Sequence, residues 1–237
     1  MPIPNIREET RVKNSHEPPA IIWDMDGILA DTAPYHLAAW KAAFKKRGYE
    51  FTGEDFKGTF GQRNDFIIMD FLGEDVPEKE MADISREKEP LFRDSIRAGL
   101  KPLPGAMELI KSLKDNRSPM ALASSAPAAN IELVIKTLGI ENVFQATASD
   151  NDVIKGKPDP QVFLLAAERL GVRPESCVVI EDAVAGVKAA KRAGMSCLAV
   201  TNTHPAVSLK EADVIVDTLE EVTVNDLKRL IGKPNQY

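Results

Sequence analysis

The stretch Ile21-Ile22-Trp23-Asp24-Met25-Asp26-Gly27 constrains the chain most. An apolar run stops at two aspartates one residue apart, followed by a glycine. Such a run reads as a strand buried on both faces, with Asp24 at its carboxyl end. Ligands of open α/β sheets bind just beyond the carboxyl ends of the strands. Where a strand passes into a loop, a spacing of two can aim both carboxylates at one pocket. Carboxylates that close repel unless a cation or a proton lies between them. The stretch therefore predicts a metal site, a nucleophile with its acid/base partner, or both.

Downstream, the pattern divides the chain. Residues 1–18 lack apolar periodicity and read as a loosely held arm. Asp31 or Thr32 offers a helix cap, and a helix is expected from about 34 to 47. Residues 53–58, 63–72 and 77–98 read as further helices with almost no strand pattern. From 103 onward strands and helices alternate: helix 105–114, strand 120–123, helix 127–138, a short strand near 144–147, and a helix closing at Gly171. Strand 177–180, helix 184–193, strands 197–200 and 213–216, and a last helix near 219–231 complete it. Alternation of this kind predicts an α/β fold, a doubly wound, Rossmann-like parallel sheet. The helical block interrupts it after the first strand. The expected division is a core of 19–34 and 103–237 with an inserted α-helical cap of 35–102.

Three strand ends carry chemistry. The first holds Asp24 and Asp26, the second Ser124 and Ser125, and a later one Glu181 and Asp182, with Lys157 in a Gly-Lys-Pro turn beside them. The reaction that needs this set is phosphoryl transfer through an aspartyl-phosphate. Asp24 is placed to attack phosphorus, and Asp26 to protonate the leaving oxygen and then activate water or a hydroxyl. Ser124 and Lys157 suit the phosphoryl oxygens. Mg²⁺ prefers hard oxygen ligands, which Asp24, Glu181, Asp182 and the Asp26 position supply, the last through a backbone carbonyl nearby.

These residues resemble the four motifs of the haloacid dehalogenase superfamily, and within it the group of β-phosphoglucomutases and phosphoglycolate-type phosphatases. The motifs are Asp24-Met25-Asp26-Gly27, the serine of Leu122-Ala123-Ser124-Ser125, the lysine of Gly156-Lys157-Pro158, and Glu181-Asp182, in a resemblance spanning about 19–220. It implies a Rossmann-like core, a helical cap inserted after the first motif, Mg²⁺, Asp24 as nucleophile and Asp26 as acid/base. The dehalogenase branch typically lacks the second aspartate, so Asp26 points to phosphate chemistry. In the cap, the resemblance marks His36 as a residue that couples cap closure to catalysis, Arg63 as a grip on a distal phosphate, and Lys88 as a pocket lysine. Ser125 joins them as a substrate contact. Two departures separate the chain from the mutase pattern: Ala183 stands where a serine is usual, and Ala126-Pro127-Ala128 where Ser-Lys-Asn is usual. Asn130 nearby reads as a helix-face residue.

The expected function is hydrolysis of a small phosphorylated metabolite, a sugar phosphate above all. The alternatives are a β-phosphoglucomutase and a non-catalytic binding or regulatory protein on the same fold. A net charge of -6 argues against a nucleic-acid groove. No apolar run approaches a membrane span. The polar N-terminus does not read as a signal peptide. Cys177 and Cys197, each in an apolar run, read as buried reduced thiols, so a cytoplasmic setting is expected; the sequence does not fix the oligomeric state, and a monomer is the favoured expectation.

Overall fold

The computed structural model describes residues 18–97 and 99–231. At its centre is an all-parallel sheet of β1 (Ala20–Trp23), β2 (Met120–Ala123), β3 (Ala146–Ala148), β4 (Cys177–Glu181), β5 (Ser196–Val200) and β6 (Val214–Val216). The spatial order is β3-β2-β1-β4-β5-β6. Two three-strand halves wind outward in opposite directions from β1 and β4. The crevice where the order reverses lies at the carboxyl ends of these two strands. This is the doubly wound, Rossmann-like α/β core that the alternation predicts.

The helices among the described residues are α1 (Ala33–Lys45), α2 (Gly53–Lys57), α3 (Asn64–Leu72), α4 (Glu78–Ile96), α5 (Ala106–Asp115), α6 (Ala128–Leu138), α7 (Gln161–Leu170), α8 (Val184–Arg192) and α9 (Val224–Leu230). Strand residues alternate between two faces, as a period of two demands. Ile21, Trp23, Met120, Leu122, Val178 and Ile180 pack with Leu109 and Leu113 of α5, Val134 of α6 and Leu227 of α9. Ile22, Ala121, Ala123 and Val179 pack with Phe163 of α7 and Val187 of α8. The run is apolar on both faces because helices cover both. Each large side chain so buried contributes about 1.5–3 kcal/mol.

Helices α1 to α4 form the inserted block, with an aromatic core of its own. Trp40, Phe44, Phe51, Phe56 and Phe60 gather there with Ile67, Ile68 and Ile84, and Phe44 stacks on Phe51 with ring centroids 4.9 Å apart. The end of α4 leaves this cluster: Phe92 and Ile96 are buried in the main core. The linkers into and out of the block run together, the Leu103 N–H donating to the Leu29 carbonyl at 3.0 Å.

Local differences from the sequence expectations have physical causes. The strand expected near 144–147 begins two residues later, in register with Ala121 to Ala123 of β2. The last helix is broken into a 3-10 turn over Leu219–Glu221 and α9. Thr223 and Asp226 form a reciprocal capping box that starts α9 afresh. Thr32 does occupy the N-cap position of α1, but its side chain makes no cap bond. The expected arm lies outside the described residues except for Pro18.

Candidate active site

Strand register builds the site. In the β1–β4 pairing Trp23 lies level with Ile180, and the Asp24 N–H continues the ladder to the Ile180 carbonyl at 3.0 Å. Asp24 and Glu181 are therefore neighbours on adjacent strand ends, and residues level with each other in a parallel pair face the same way. Asp182 follows at once. These three carboxylates are the one candidate metal-binding cluster of His, Cys, Asp or Glu side chains among the described residues, each offering an oxygen within 4.8 Å of the others.

Lys157 reaches into the cluster. Its Nζ donates to Asp24 Oδ1 at 2.6 Å and to Glu181 Oε1 at 2.7 Å, and it sits over the Phe163 ring, 4.7 Å from the centroid. The other Glu181 oxygen accepts the N–H groups of Asp182 and Ala183, both at 2.8 Å. A Cβ at Gly186 would overlap the Glu181 carboxylate, so a glycine is needed there for α8 to pass. Both oxygens of Glu181 are thus engaged, and its part is to hold Lys157 and the turn into α8. Asp24 and Asp182 keep an oxygen each.

Three buried carboxylates against one ammonium leave two negative charges uncompensated. Burial pushes the Asp24 carboxyl up to about 8; Lys157 opposes this, and Glu181 and Asp26 add to it. Burial, Glu181 and Asp24 drive Asp182 well above the ordinary carboxylate range. Burial would lower the Lys157 pKa, but Asp24 and Glu181 together raise it above that of an ordinary lysine. A hard-oxygen cluster that would carry two surplus negative charges once these protons leave fits a divalent cation such as Mg²⁺. Asp24 and Asp182 would hold it.

Asp26 faces the other way. Its expected part in the metal site runs through a backbone carbonyl nearby, and its side chain lies outside the carboxylate cluster. Asp26 Oδ1 accepts the Thr32 hydroxyl at 2.5 Å and lies 3.3 Å from His36 Nε2. Lys88 Nζ lies 2.9 Å from His36 Nδ1 and donates to Glu89 Oε1 at 2.9 Å. An ammonium can only donate, so Nδ1 accepts from Lys88 and the ring proton of neutral His36 sits on Nε2, aimed at Asp26. Burial and Lys88 hold the His36 pKa below its usual value, which favours this neutral form. Burial alone would raise Asp26, yet His36, Thr32 and Lys88 together bring it below an ordinary aspartate. The two aspartates are thus two residues apart but electrostatically opposite.

The chamber between these groups is small. A cavity of about 30 Å³ is lined by Asp26, His36, Phe60, Lys88 and Ser125, among others. That admits a water-sized group and no metabolite. The Ser125 hydroxyl is buried there with no partner. Ser124 Oγ accepts the Ala126 N–H at 3.0 Å, which leaves its proton free to donate.

Arg63 is turned away from this chamber. Its Nε lies 2.8 Å from Asp150 Oδ1, an ion pair without an aligned hydrogen bond, and its Nη1 donates to the carbonyls of Val153 and Ile154 at 3.4 and 3.1 Å. A Cβ at Gly156 would strike the Arg63 chain, so the cap arginine packs directly on the turn that carries Lys157. Asn130 is no helix-face residue. It is fully buried, donates to Glu89 Oε2 at 2.5 Å and accepts from Arg93 at 2.9 Å. Glu89 also accepts from Asn64 at 2.8 Å. The sequence marks Thr32 only as a helix cap and gives no role to Glu89, Asp150 or Thr203. Of these, Thr203 had a signal, because it follows an apolar strand of the same sheet in the polar stretch Thr201-Asn202-Thr203-His204.

Comparison with known proteins agrees with this geometry. The family model described as haloacid dehalogenase-like hydrolase matches residues 18–194. A phosphorylated carbohydrates phosphatase of Thermotoga maritima is 33% identical over 218 residues, covering 90% of this chain and 99% of its own. A beta-phosphoglucomutase of Bacillus subtilis is 33% identical over 213 residues, covering 86% and 92%. Two longer relatives from Arabidopsis thaliana are matched over only 20% and 46% of their own length. Among solved structures, a HAD hydrolase of family IA, variant 3, from Entamoeba histolytica superposes with a TM-score of 0.82 at 27% identity, covering 91% of this chain and all of the other.

Proposed function

The chain belongs to the haloacid dehalogenase-like hydrolase family, and on that footing we propose that it is a Mg²⁺-dependent phosphatase hydrolysing a small phosphorylated metabolite, a sugar phosphate, through an aspartyl-phosphate on Asp24. The observation that carries this reading is the contrast between its two aspartates. Asp24 is clasped by Lys157 at the carboxylate cluster, while Asp26 is held ionised by Thr32 and His36 on the chamber side.

An Asp24 oxygen attacks phosphorus, the bond to the leaving oxygen breaks, and that oxygen takes a proton from Asp26. Water then attacks the phosphoryl group, Asp26 accepts its proton, and inorganic phosphate departs as Asp24 is regenerated. The ionised Asp26 of the chamber is the form that the second step uses; for the first it must carry a proton. Lys157, the Ser124 hydroxyl and the unpaired Ser125 hydroxyl are the donors available to the phosphoryl oxygens. When bound, the cation supplies positive charge beside those oxygens. The two cysteines, free and buried, support a cytosolic setting.

A second reading, phosphomutase, draws support from the similarity to the Bacillus subtilis enzyme. Ala183 and Ala126-Pro127-Ala128 favour hydrolysis, since they offer no polar side chain to orient a second hydroxyl. The deciding experiment is a phosphate-release screen over sugar phosphates with Mg²⁺, alongside β-glucose 1-phosphate plus a trace of the 1,6-bisphosphate. Release of phosphate by wild type and not by Asp24→Asn is the expected result. Formation of glucose 6-phosphate without matching free phosphate would establish the mutase instead.

A further inference from the structure

We propose that Thr203, in the loop after β5, is a positioning residue for cation binding. Its hydroxyl fixes one oxygen of Asp182 so that the other is presented to the ion. This rests on the reading of Asp24 and Asp182 as the cation's ligands.

Thr203 Oγ1 donates to Asp182 Oδ2. The same oxygen is boxed from a second side by the backbone of Gly27. That glycine has a φ of 75°, and a Cβ there would run into Asp182 Oδ2 and come within 3.0 Å of Thr203 Oγ1. Asn202 ties the loop down by donating its Nδ2 to the Gly27 carbonyl at 2.9 Å. Three segments far apart in sequence thus converge on one carboxylate oxygen: the turn after β1, the end of β4 and the loop after β5.

This convergence answers a need the cluster creates. A carboxylate on a freely turning side chain can offer either oxygen, and each alternative orientation dilutes the arrangement that binds. With Oδ2 held by Thr203, Oδ1 is the oxygen left without a protein donor for an ion, and the rotamer is set before the ion arrives. Groups that orient a ligand in this way typically change metal affinity by about ten- to a hundred-fold when removed. Thr203, Asn202 and Gly27 also line a pocket of about 470 Å³ on the solvent side. Asp182 beneath them is 1% exposed, so Thr203 stands between that pocket and the ligand.

The test is calorimetric titration of the chelator-stripped full-length protein with Mg²⁺ alone, paired with thermal unfolding of the metal-free form. Thr203→Val keeps the shape and removes the hydroxyl. It is expected to weaken Mg²⁺ binding about ten-fold or more while the metal-free protein melts within about 2 °C of wild type. Thr203→Ser restores the donor and is expected to recover most of the affinity. Asn202→Ala, which loosens the loop and leaves the hydroxyl, is expected to weaken binding by less. Unchanged Mg²⁺ affinity in Thr203→Val would overturn the inference, as would an affinity loss matched by a metal-free melting loss, the mark of a purely structural residue. If wild type itself shows no saturable Mg²⁺ binding, the cation reading falls, and this inference with it.

Discussion

Lys157 carries more electrostatic weight than any other single residue of the site. It contacts two of three buried carboxylates at hydrogen-bond distance, and removing one partner from a buried ionic group typically costs 3–5 kcal/mol. Lys157→Met should therefore lower unfolding stability by about that amount in the presence of a chelator, read as the urea midpoint. Mg²⁺ should return part of the loss, because its charge falls on the same carboxylates; a midpoint indifferent to the substitution would contradict the charge ledger. Thr32 offers a finer probe. Its hydroxyl is one of two donors to Asp26 Oδ1, and a donor to a carboxylate favours the ionised form. Thr32→Val should raise the Asp26 pKa, so the base is lost at a higher pH as the solution is acidified. The acidic limb of kcat, where water attack on the aspartyl-phosphate limits turnover, should then move toward neutrality. A limb that stays in place would mean that another group titrates there.

Among the elements, α4 joins the most functions. Lys88 and Glu89 face the chamber and the seam, and Phe92 and Ile96 are buried in the main core. Glu89 gathers donors from Lys88, Asn64 and Asn130, on three different helices. Asn130→Ala removes one donor from Glu89 and the acceptor of Arg93 together. The expected cost is about 1–3 kcal/mol of stability, read as a lower urea midpoint; no change would show that the seam tolerates the loss. Legibility in the sequence follows the same division. Sheet and motifs were readable because strand period, apolar runs and residue order are local signals, and the rule that ligands gather at strand ends did the rest. The seam was not readable. Asn130 sits in the first turn of an amphipathic helix, where a polar residue usually meets water, and its partner Glu89 is 41 residues away. Arg63 was recognisable as a cation at a helix start, but nothing near it in sequence announces Asp150 and the Val153 and Ile154 carbonyls as its partners. A residue's type shows which partners it can accept; only the fold shows which of them arrive.

For the molecule as a whole, the site makes folding, cation and pH one linked system. Burial raises Asp24 from an ordinary 3.8 to about 8 in the absence of a cation, so the folded state holds this proton more tightly than the unfolded chain. The contribution to stability is therefore neutral below about pH 4 and falls as pH rises through the window up to about 8. Asp182, raised in the same direction, adds to the slope. Lys157, raised rather than lowered, stays charged throughout. Asp26 and Glu89 are depressed and already ionised across neutral pH. Asp150, raised to about 6 by burial, contributes in the same sense as Asp24 but only below its own pKa. His36 and His204 are the opposing groups: their lowered pKa values cost stability as pH falls below their unfolded value, so the window for the cluster lies above about pH 7, with the buried Cys177 and Cys197 thiols, raised by burial, adding to the fall only toward its alkaline end. A divalent cation competes with those same protons. The melting temperature of metal-free protein should thus decline between about pH 7 and about pH 8.5, while the rise produced by a fixed Mg²⁺ concentration should grow over the same interval. Thermal unfolding with chelator and with Mg²⁺ at both ends of that window measures the two trends together. A Mg²⁺-induced rise that is equal or larger at the lower pH would mean that the ion does not displace protons from Asp24 and Asp182, and the cluster would lose its claim to be the cation site.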